Sequence, residues 1–274
     1  MTVCLRICFL DSPMFVEYSI DPPLMCFGRL FKHEGLVQAV STRIGGRGFD
    51  LAWNTGDDPD PVRRRIAVAA SALGMDPHGV CCALQEHGSR VGCVDELPDE
   101  DPAAPCRVFG ACDALITDRP GITLLIRVAD CVPILAYDPV RRVVAVVHAG
   151  WKGTLAGAAA ETVATMRVRY GCSVPDVLAG IGPSIGPCCF EVGREVAERF
   201  LRTPEGKGSV HIRAGTAVVD LQEVNRRQLL RCGLLPERIE MSGICTACRS
   251  DIFFSYRGEQ GKTGRFGLFA GLRA

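Results

Sequence analysis

The run Val143-Val144-Ala145-Val146-Val147 is apolar at every position and carries no polar alternation. A strand with one wet face alternates, so this one must be covered on both. An alanine-rich stretch from about Leu155 to Tyr170, stopped by Gly171, follows it and reads as a helix. A two-sided strand followed by a helix belongs in a layered α/β domain.

The rest of the chain keeps that rhythm. Leu36-Val-Gln-Ala-Val-Ser-Thr-Arg43 reads as a strand feeding the turn Gly45-Gly46-Arg47-Gly48, and a loop runs from Asn54 to Asp60. Pro61 opens a helix to Leu73, with Val62, Ile66, Ala69, Ala70 and Leu73 at three-to-four spacing and Gly74 as its stop. Further strands are expected at 80–85, 90–94, 114–117, 123–128, 134–137 and 143–148, then at 177–181 and near Val218 and Ile239. Helices are expected at 193–200 and 221–232. Residues 1–35 differ: Pro13, Pro22 and Pro23 punctuate a segment without a period, an extra strand or a loose leader. With no repeat and no low-complexity linker, 36–274 reads as one α/β domain with mixed sheets.

Composition narrows the function classes. Lys plus Arg and Asp plus Glu are 31 each, so no overall positive charge is available to grip nucleic acid, although a local pocket for a phosphate remains open. No uncharged apolar run reaches membrane-spanning length, and Arg6 and Asp11 spoil the N-terminus as a signal peptide. No membrane partner and a cytoplasmic setting are therefore expected. The 15 cysteines are irregularly spaced in apolar surroundings, and Cys4, Cys8, Cys26, Cys81, Cys82, Cys93, Cys106, Cys112, Cys172 and Cys232 read as reduced, buried small hydrophobes. The pair Cys188-Cys189 stands apart from these. Cys245-Thr-Ala-Cys248 has C-x-x-C spacing, but no second Cys or His pair follows it at zinc-finger distance, so it reads as neither a structural zinc site nor a redox pair. Gly180-Ile-Gly-Pro183 lacks the rest of a dinucleotide fingerprint.

Three residues of metal-ligand type each end or follow an expected strand: His87, Cys131 and His148. Two imidazoles and a thiolate would give a metal three protein ligands and an open fourth position, the pattern of a catalytic site. Spacing alone equally allows satisfied hydrogen-bonding histidines. Arg43 precedes a glycine-rich turn whose N–H groups can help hold an anion, and Arg257 is a second candidate; both also fit ordinary strand-end or surface arginines. Asp130 can serve as an acceptor that orients its neighbours, as a base, or as a backbone cap. Lys152 reads as solvated.

The strings Ser41-Thr42-Arg43-x-Gly45-Gly46, Gln85-x-His87, Asp113-Ala-Leu-Ile-Thr117, Asp130-Cys-Val-Pro133, His148-Ala-Gly-Trp-x-Gly153, Gly182-Pro-x-Ile185, Glu191-Val192 and Phe253-Phe-Ser-Tyr-Arg257 occur in that order. Together they resemble the YfiH-type family, once called laccase-domain or multicopper polyphenol oxidases and now understood as purine nucleoside phosphorylases. The resemblance implies a single-domain α/β/β/α sandwich and a zinc held by His87, Cys131 and His148. It also implies phosphorolysis of adenosine, inosine, guanosine and methylthioadenosine, with adenosine deaminase activity, so that the partners are purine nucleosides and inorganic phosphate. A multicopper oxidase consumes about ten histidines on its copper centres. This chain has five, which excludes that architecture.

Two other readings remain at this stage. Cys131 could be the nucleophile of a cysteine hydrolase with His148 or His87 as base, or the chain could be a non-enzymatic nucleoside-binding module. Monomer and homodimer are equally compatible with the sequence.

Overall fold

The computed structural model describes residues 15–19, 21–44, 49–54, 56–213 and 215–273; the turn at Gly45–Gly48 and the thiols Cys4 and Cys8 lie outside the described residues. The first half of the chain forms strands β1 (Phe15–Ser19), β2 (Leu24–Phe27) and β3 (Leu36–Ser41), helix α1 (Asp60–Ala72), and strands β4 (Val80–Leu84), β5 (Val91–Cys93), β6 (Arg107–Ala111), β7 (Ala114–Thr117) and β8 (Thr123–Val128). Next come β9 (Val132–Asp138), β10 (Val143–Ala149), α2 (Trp151–Leu155), α3 (Ala158–Tyr170), β11 (Leu178–Ile181), β12 (Glu191–Val192) and α4 (Arg194–Leu201). The chain finishes with β13 (Val210–Arg213), β14 (Thr216–Val219), α5 (Leu221–Cys232), β15 (Ile239–Met241) and β16 (Phe266–Leu272).

Two large mixed sheets result. One has the order β1-β2-β3-β16-β8-β4-β6 and the other β15-β11-β9-β10-β7-β5; β12, β14 and β13 form a small third sheet. The burial of β10 shows why its sequence is apolar throughout. Val144 and Val146 enter the core between the sheets with Leu268, Ile126 and Phe266, while Val143, Ala145 and Val147 face α3 and α5 through Val163, Met166 and Val224. Helix α1 covers the opposite outer surface, setting Val62, Ile66, Ala69 and Ala70 against Val37, Leu125 and Phe269. The layer order is therefore α/β/β/α, as the resemblance implied.

Two differences from the expected elements have local causes. The helix expected over 155–170 forms as α3 and ends at Gly171 as expected, but a short helix that was not expected, α2, precedes it, and Gly157 with φ 78° separates the two. Strand β16 was not anticipated, since two glycines in Phe-Gly-Leu-Phe-Ala-Gly-Leu weaken its strand pattern. Among the described residues before Leu36, extra strands form, as one of the two sequence readings had it: β1 and β2 extend the seven-stranded sheet, and Phe15 and Phe27 are buried in the central core. Among the described residues no helix is long and apolar enough to cross a membrane.

Candidate metal centre and cleft

Sheet register brings the three distant ligand candidates together. In the antiparallel β9–β10 pair, His148 lies opposite Pro133 and Ala149 opposite Val132, so His148 sits beside the point where Cys131 enters β9. Side chains alternate along a strand, which puts His148 on the same face as Val144 and Val146, toward the other sheet. The third residue arrives from that sheet, on the loop after β4. His87, Cys131 and His148 offer ligand atoms that all lie within 4.8 Å of one another, and the two imidazoles meet edge to face at 4.8 Å between centroids.

At the site itself, the side chain that ties the two sheets together is Asp113. It precedes β7, the neighbour of β10, and its Oδ1 accepts from His148 Nδ1 at 2.8 Å and from the His87 N–H at 2.9 Å. Its Oδ2 accepts from the Gly88 N–H at 2.7 Å. One buried carboxylate thus fixes the loop carrying His87 and the tautomer of His148, leaving His148 Nε2 for the site. His87 itself has φ 62°, in the left-handed region that non-glycine residues rarely occupy. The hydrogen bonds to Asp113 hold it there. Close approach also explains Gly150: a Cβ at that position would lie 2.9 Å from Cys131 Sγ and 3.0 Å from His87 Cδ2.

These contacts set the charges. Burial opposes the Cys131 thiolate, but the charge and hydrogen bond of His148, with the hydrogen bond of His87, outweigh it and bring the thiol down to about 6. Burial likewise opposes His148 imidazolium, and the Cys131 thiolate and Asp113 carboxylate override it, raising the imidazole to about 9. Asp113, despite its burial, is held below the ordinary carboxylate value by hydrogen bonds from His148, Gly88 and His87. The contacts thus favour a Cys131 thiolate beside a His148 imidazolium, steadied by the Asp113 carboxylate.

The trio lies on the wall of a cleft of ≈ 830 Å³ whose lining also includes Trp53, Trp151, Phe190 and Tyr256 and the cations Arg127, Arg257 and Arg265. Asp130 faces the same cleft with every hydrogen-bonding need met. Its Oδ1 accepts from Thr246 Oγ1 at 2.6 Å and Ser255 Oγ at 2.7 Å, and its Oδ2 accepts from the Arg257 N–H at 2.6 Å. At φ 85° it turns the chain from β8 into Cys131. Asp130 thus accepts both from side-chain hydroxyls and from a backbone N–H, the geometry of an orienting acceptor and of a backbone cap alike. Arg257 borders the cleft, with Nη1 and Nη2 donating to the carbonyls of Cys189 and Glu191 and its guanidinium 5.6 Å from the Phe190 centroid. Arg43 does not line it: its guanidinium is paired with Glu259 at 2.9 Å and rests 4.7 Å from the Phe254 centroid. Lys152 is exposed and lies over Trp151 at 5.7 Å.

The sequence reading assigned no role to Asp113, Arg127 or Arg265. Arg127 was discoverable as the single charge in strand β8. Its Nη1 donates to the Trp53 carbonyl at 3.2 Å, its Nε has no hydrogen-bond partner, and no carboxylate pairs with it among the described residues. Gln85 holds the strand end that carries it, exchanging hydrogen bonds with the Arg127 N–H and carbonyl at 2.9 and 2.8 Å.

A second sulfur-rich group adjoins Phe190 and Arg257 through Cys189, whose carbonyl accepts from Arg257. The thiols of Cys188, Cys189, Cys245 and Cys248 converge within 4.8 Å of one another, which corrects the isolated reading of the C-x-x-C motif. Its partner pair precedes it in the chain.

Comparison with known proteins places these features in a family context. The family model described as multi-copper polyphenol oxidoreductase laccase matches residues 36–273. A purine nucleoside phosphorylase of Bacteroides thetaiotaomicron is 33% identical over 260 residues, covering 91% of this chain and 96% of that protein. The adenosine deaminase RL5 of an unknown prokaryotic organism is 36% identical over 236 residues, covering 81% and 88%. The crystal structure of the Bacillus licheniformis hypothetical protein YfiH superposes with a TM-score of 0.81 at 32% identity, covering 98% of this chain and 99% of that one.

Proposed function

The chain belongs to the multi-copper polyphenol oxidoreductase laccase family, and from that membership we infer that it is a zinc-dependent purine nucleoside phosphorylase with adenosine deaminase activity. The observation that carries this reading is the convergence of His87, Cys131 and His148 on the wall of a cleft that also holds aromatic rings and arginines without carboxylate partners among the described residues. Its volume falls within the roughly 300–1,000 Å³ of small-molecule sites. The donor set fits zinc, being borderline-soft, limited to three residues and oriented by Asp113. When bound there, zinc supplies Lewis-acid polarisation and acidifies water.

The residues of the chain divide the remaining work. The rings of Trp53, Phe190 and Tyr256 offer faces on which a purine stacks. Arg127 and Arg265, which line the cleft without carboxylate partners among the described residues, hold the phosphate as it bonds to the anomeric carbon while the glycosidic electron pair leaves with the purine nitrogen. Asp130 keeps Arg257 and Cys131 in register. In deamination, water adds at the purine C6 and the amino group leaves as ammonia, a reaction that needs no phosphate. The same reading extends to inosine, guanosine and methylthioadenosine and to a cytoplasmic setting.

One observation favours a second reading. Cys131, His148 and Asp113 form a thiolate, imidazolium and carboxylate in sequence, the arrangement of a cysteine hydrolase. The readings separate by incubating metal-quantified protein with adenosine, with and without phosphate, beside Cys131→Ala. Phosphate-dependent adenine together with inosine, both lost in the variant and accompanied by zinc, supports the phosphorylase. Absence of turnover of any purine nucleoside by folded, zinc-loaded protein would overturn it.

A further inference from the structure

We propose that Cys188, Cys189, Cys245 and Cys248 form a second, structural zinc site that staples together two of the loops shaping the cleft. The four residues come from two turns. Cys188 and Cys189 lie on the turn between β11 and β12, closed by the Cys189 and Phe190 N–H groups donating to the Gly186 carbonyl at 3.0 and 2.9 Å. Cys245 and Cys248 lie on the turn after β15, closed by the Arg249 N–H donating to the Cys245 carbonyl at 3.0 Å. A β-bridge between Ser184 and Cys245 sets the turns side by side.

The sulfur geometry suits a tetrahedral metal. Zinc–thiolate bonds of about 2.3 Å require sulfur atoms ~3.8 Å apart along each edge of the tetrahedron. Cys188 and Cys189 Sγ each lie 3.5 Å from Cys248 Sγ, and all four sulfurs fall within 4.8 Å. The Gly186 N–H donates to Cys245 Sγ at 3.2 Å, a contact that favours thiolate. A Cβ on Gly186 would lie 3.1 Å from Cys245 Cβ and 3.4 Å from Cys188 Sγ, so this approach needs glycine. Four cysteines close the coordination sphere, which is the mark of a structural ion and contrasts with the open trio at His87, Cys131 and His148.

The position gives the ion a purpose. Thr246, inside the C-x-x-C turn, donates to Asp130, and Arg257 donates to the carbonyl of Cys189. Pinning these turns fixes both the residue before Cys131 and the arginine at the cleft rim. The proposal does not depend on which nucleoside reaction the cleft performs.

Zinc content of the full chain provides the test. Wild-type protein should hold two zinc ions per chain, His148→Ala one, and the Cys188→Ser/Cys248→Ser double variant one. Should the double variant fail to fold, wild-type and His148→Ala protein loaded with cobalt(II) should both show the sulfur-to-metal absorption of a four-thiolate site. Peptide-resolved alkylation should find the four cysteines protected until chelator is added. A single zinc per wild-type chain that disappears in His148→Ala, free alkylation of the four thiols, iron as the bound metal, or disulfides between them would each overturn the proposal, whereas a single zinc that His148→Ala retains supports it.

Discussion

Asp113 carries more of the site than its place in the sequence suggests. It binds the His148 imidazole and the His87 and Gly88 amides through one buried carboxylate. Asp113→Asn removes the charge and the acceptor that fix the His148 tautomer, and losses of about 10- to 100-fold in metal affinity are typical of such changes. Competition with a chromogenic chelator measures it; unchanged affinity would contradict the assigned role. The Cys131 thiol supplies a test of sign. Because its folded value is depressed to about 6, the reactive thiolate forms as pH rises through that value. In metal-stripped protein, the alkylation rate at Cys131 should climb between about pH 5 and 7 and then flatten, whereas an ordinary thiol keeps accelerating through about pH 8.5. Loading with zinc should suppress the reaction. Arg127→Gln should raise the KM for phosphate roughly 10-fold or more and leave that for adenosine nearly unchanged, in line with loss of a charge-assisted hydrogen bond. Equal effects on both substrates would remove Arg127 from the phosphate site.

Among the elements, those with a strong local period were the legible ones. Helix α5 begins and ends where Leu221 and Cys232 were expected, with Asp220 capping the Glu223 N–H at 3.0 Å and Gly233 as its left-handed stop. The alanine-rich run after β10 was also legible and forms α3, whereas the five-residue α2 before it was missed because so short a segment shows no helical period. Gly157 adopts φ 78°, and a Cβ there would meet only Ala160 Cβ at 3.9 Å. The position therefore needs glycine for its backbone alone. Gly157→Ala should cost about 1–2 kcal/mol, read as a lower urea midpoint at unchanged slope. A neutral substitution would mean that the break between α2 and α3 is set by packing.

At the scale of the whole molecule, the sheets are joined by side chains remote from the chemistry. Phe27 of β2 presses on β11 of the other sheet: a Cβ on Gly180 would lie 2.8 Å from its ring. Phe27→Ala should cost roughly 3–5 kcal/mol by cavity formation, measured by chemical denaturation, and a cost below about 1 kcal/mol would show that the N-terminal strands only decorate the fold. The sequence by itself determined the layered α/β class, most helices and strands, and the identity of the three ligand candidates, because hydrophobic period, capping residues and ligand chemistry are local properties. Tertiary structure decided the rest. Strand β16 stands at the centre of the seven-stranded sheet because β3 and β8 flank it, not because Phe-Gly-Leu-Phe-Ala-Gly-Leu favours extension. Arg43 was drawn away from the cleft by Glu259, while Asp113 met His148 35 residues away through strand pairing. The two cysteine pairs found each other across more than 50 residues for the same reason: contacts between distant segments depend on sheet order and register, which no local spacing encodes.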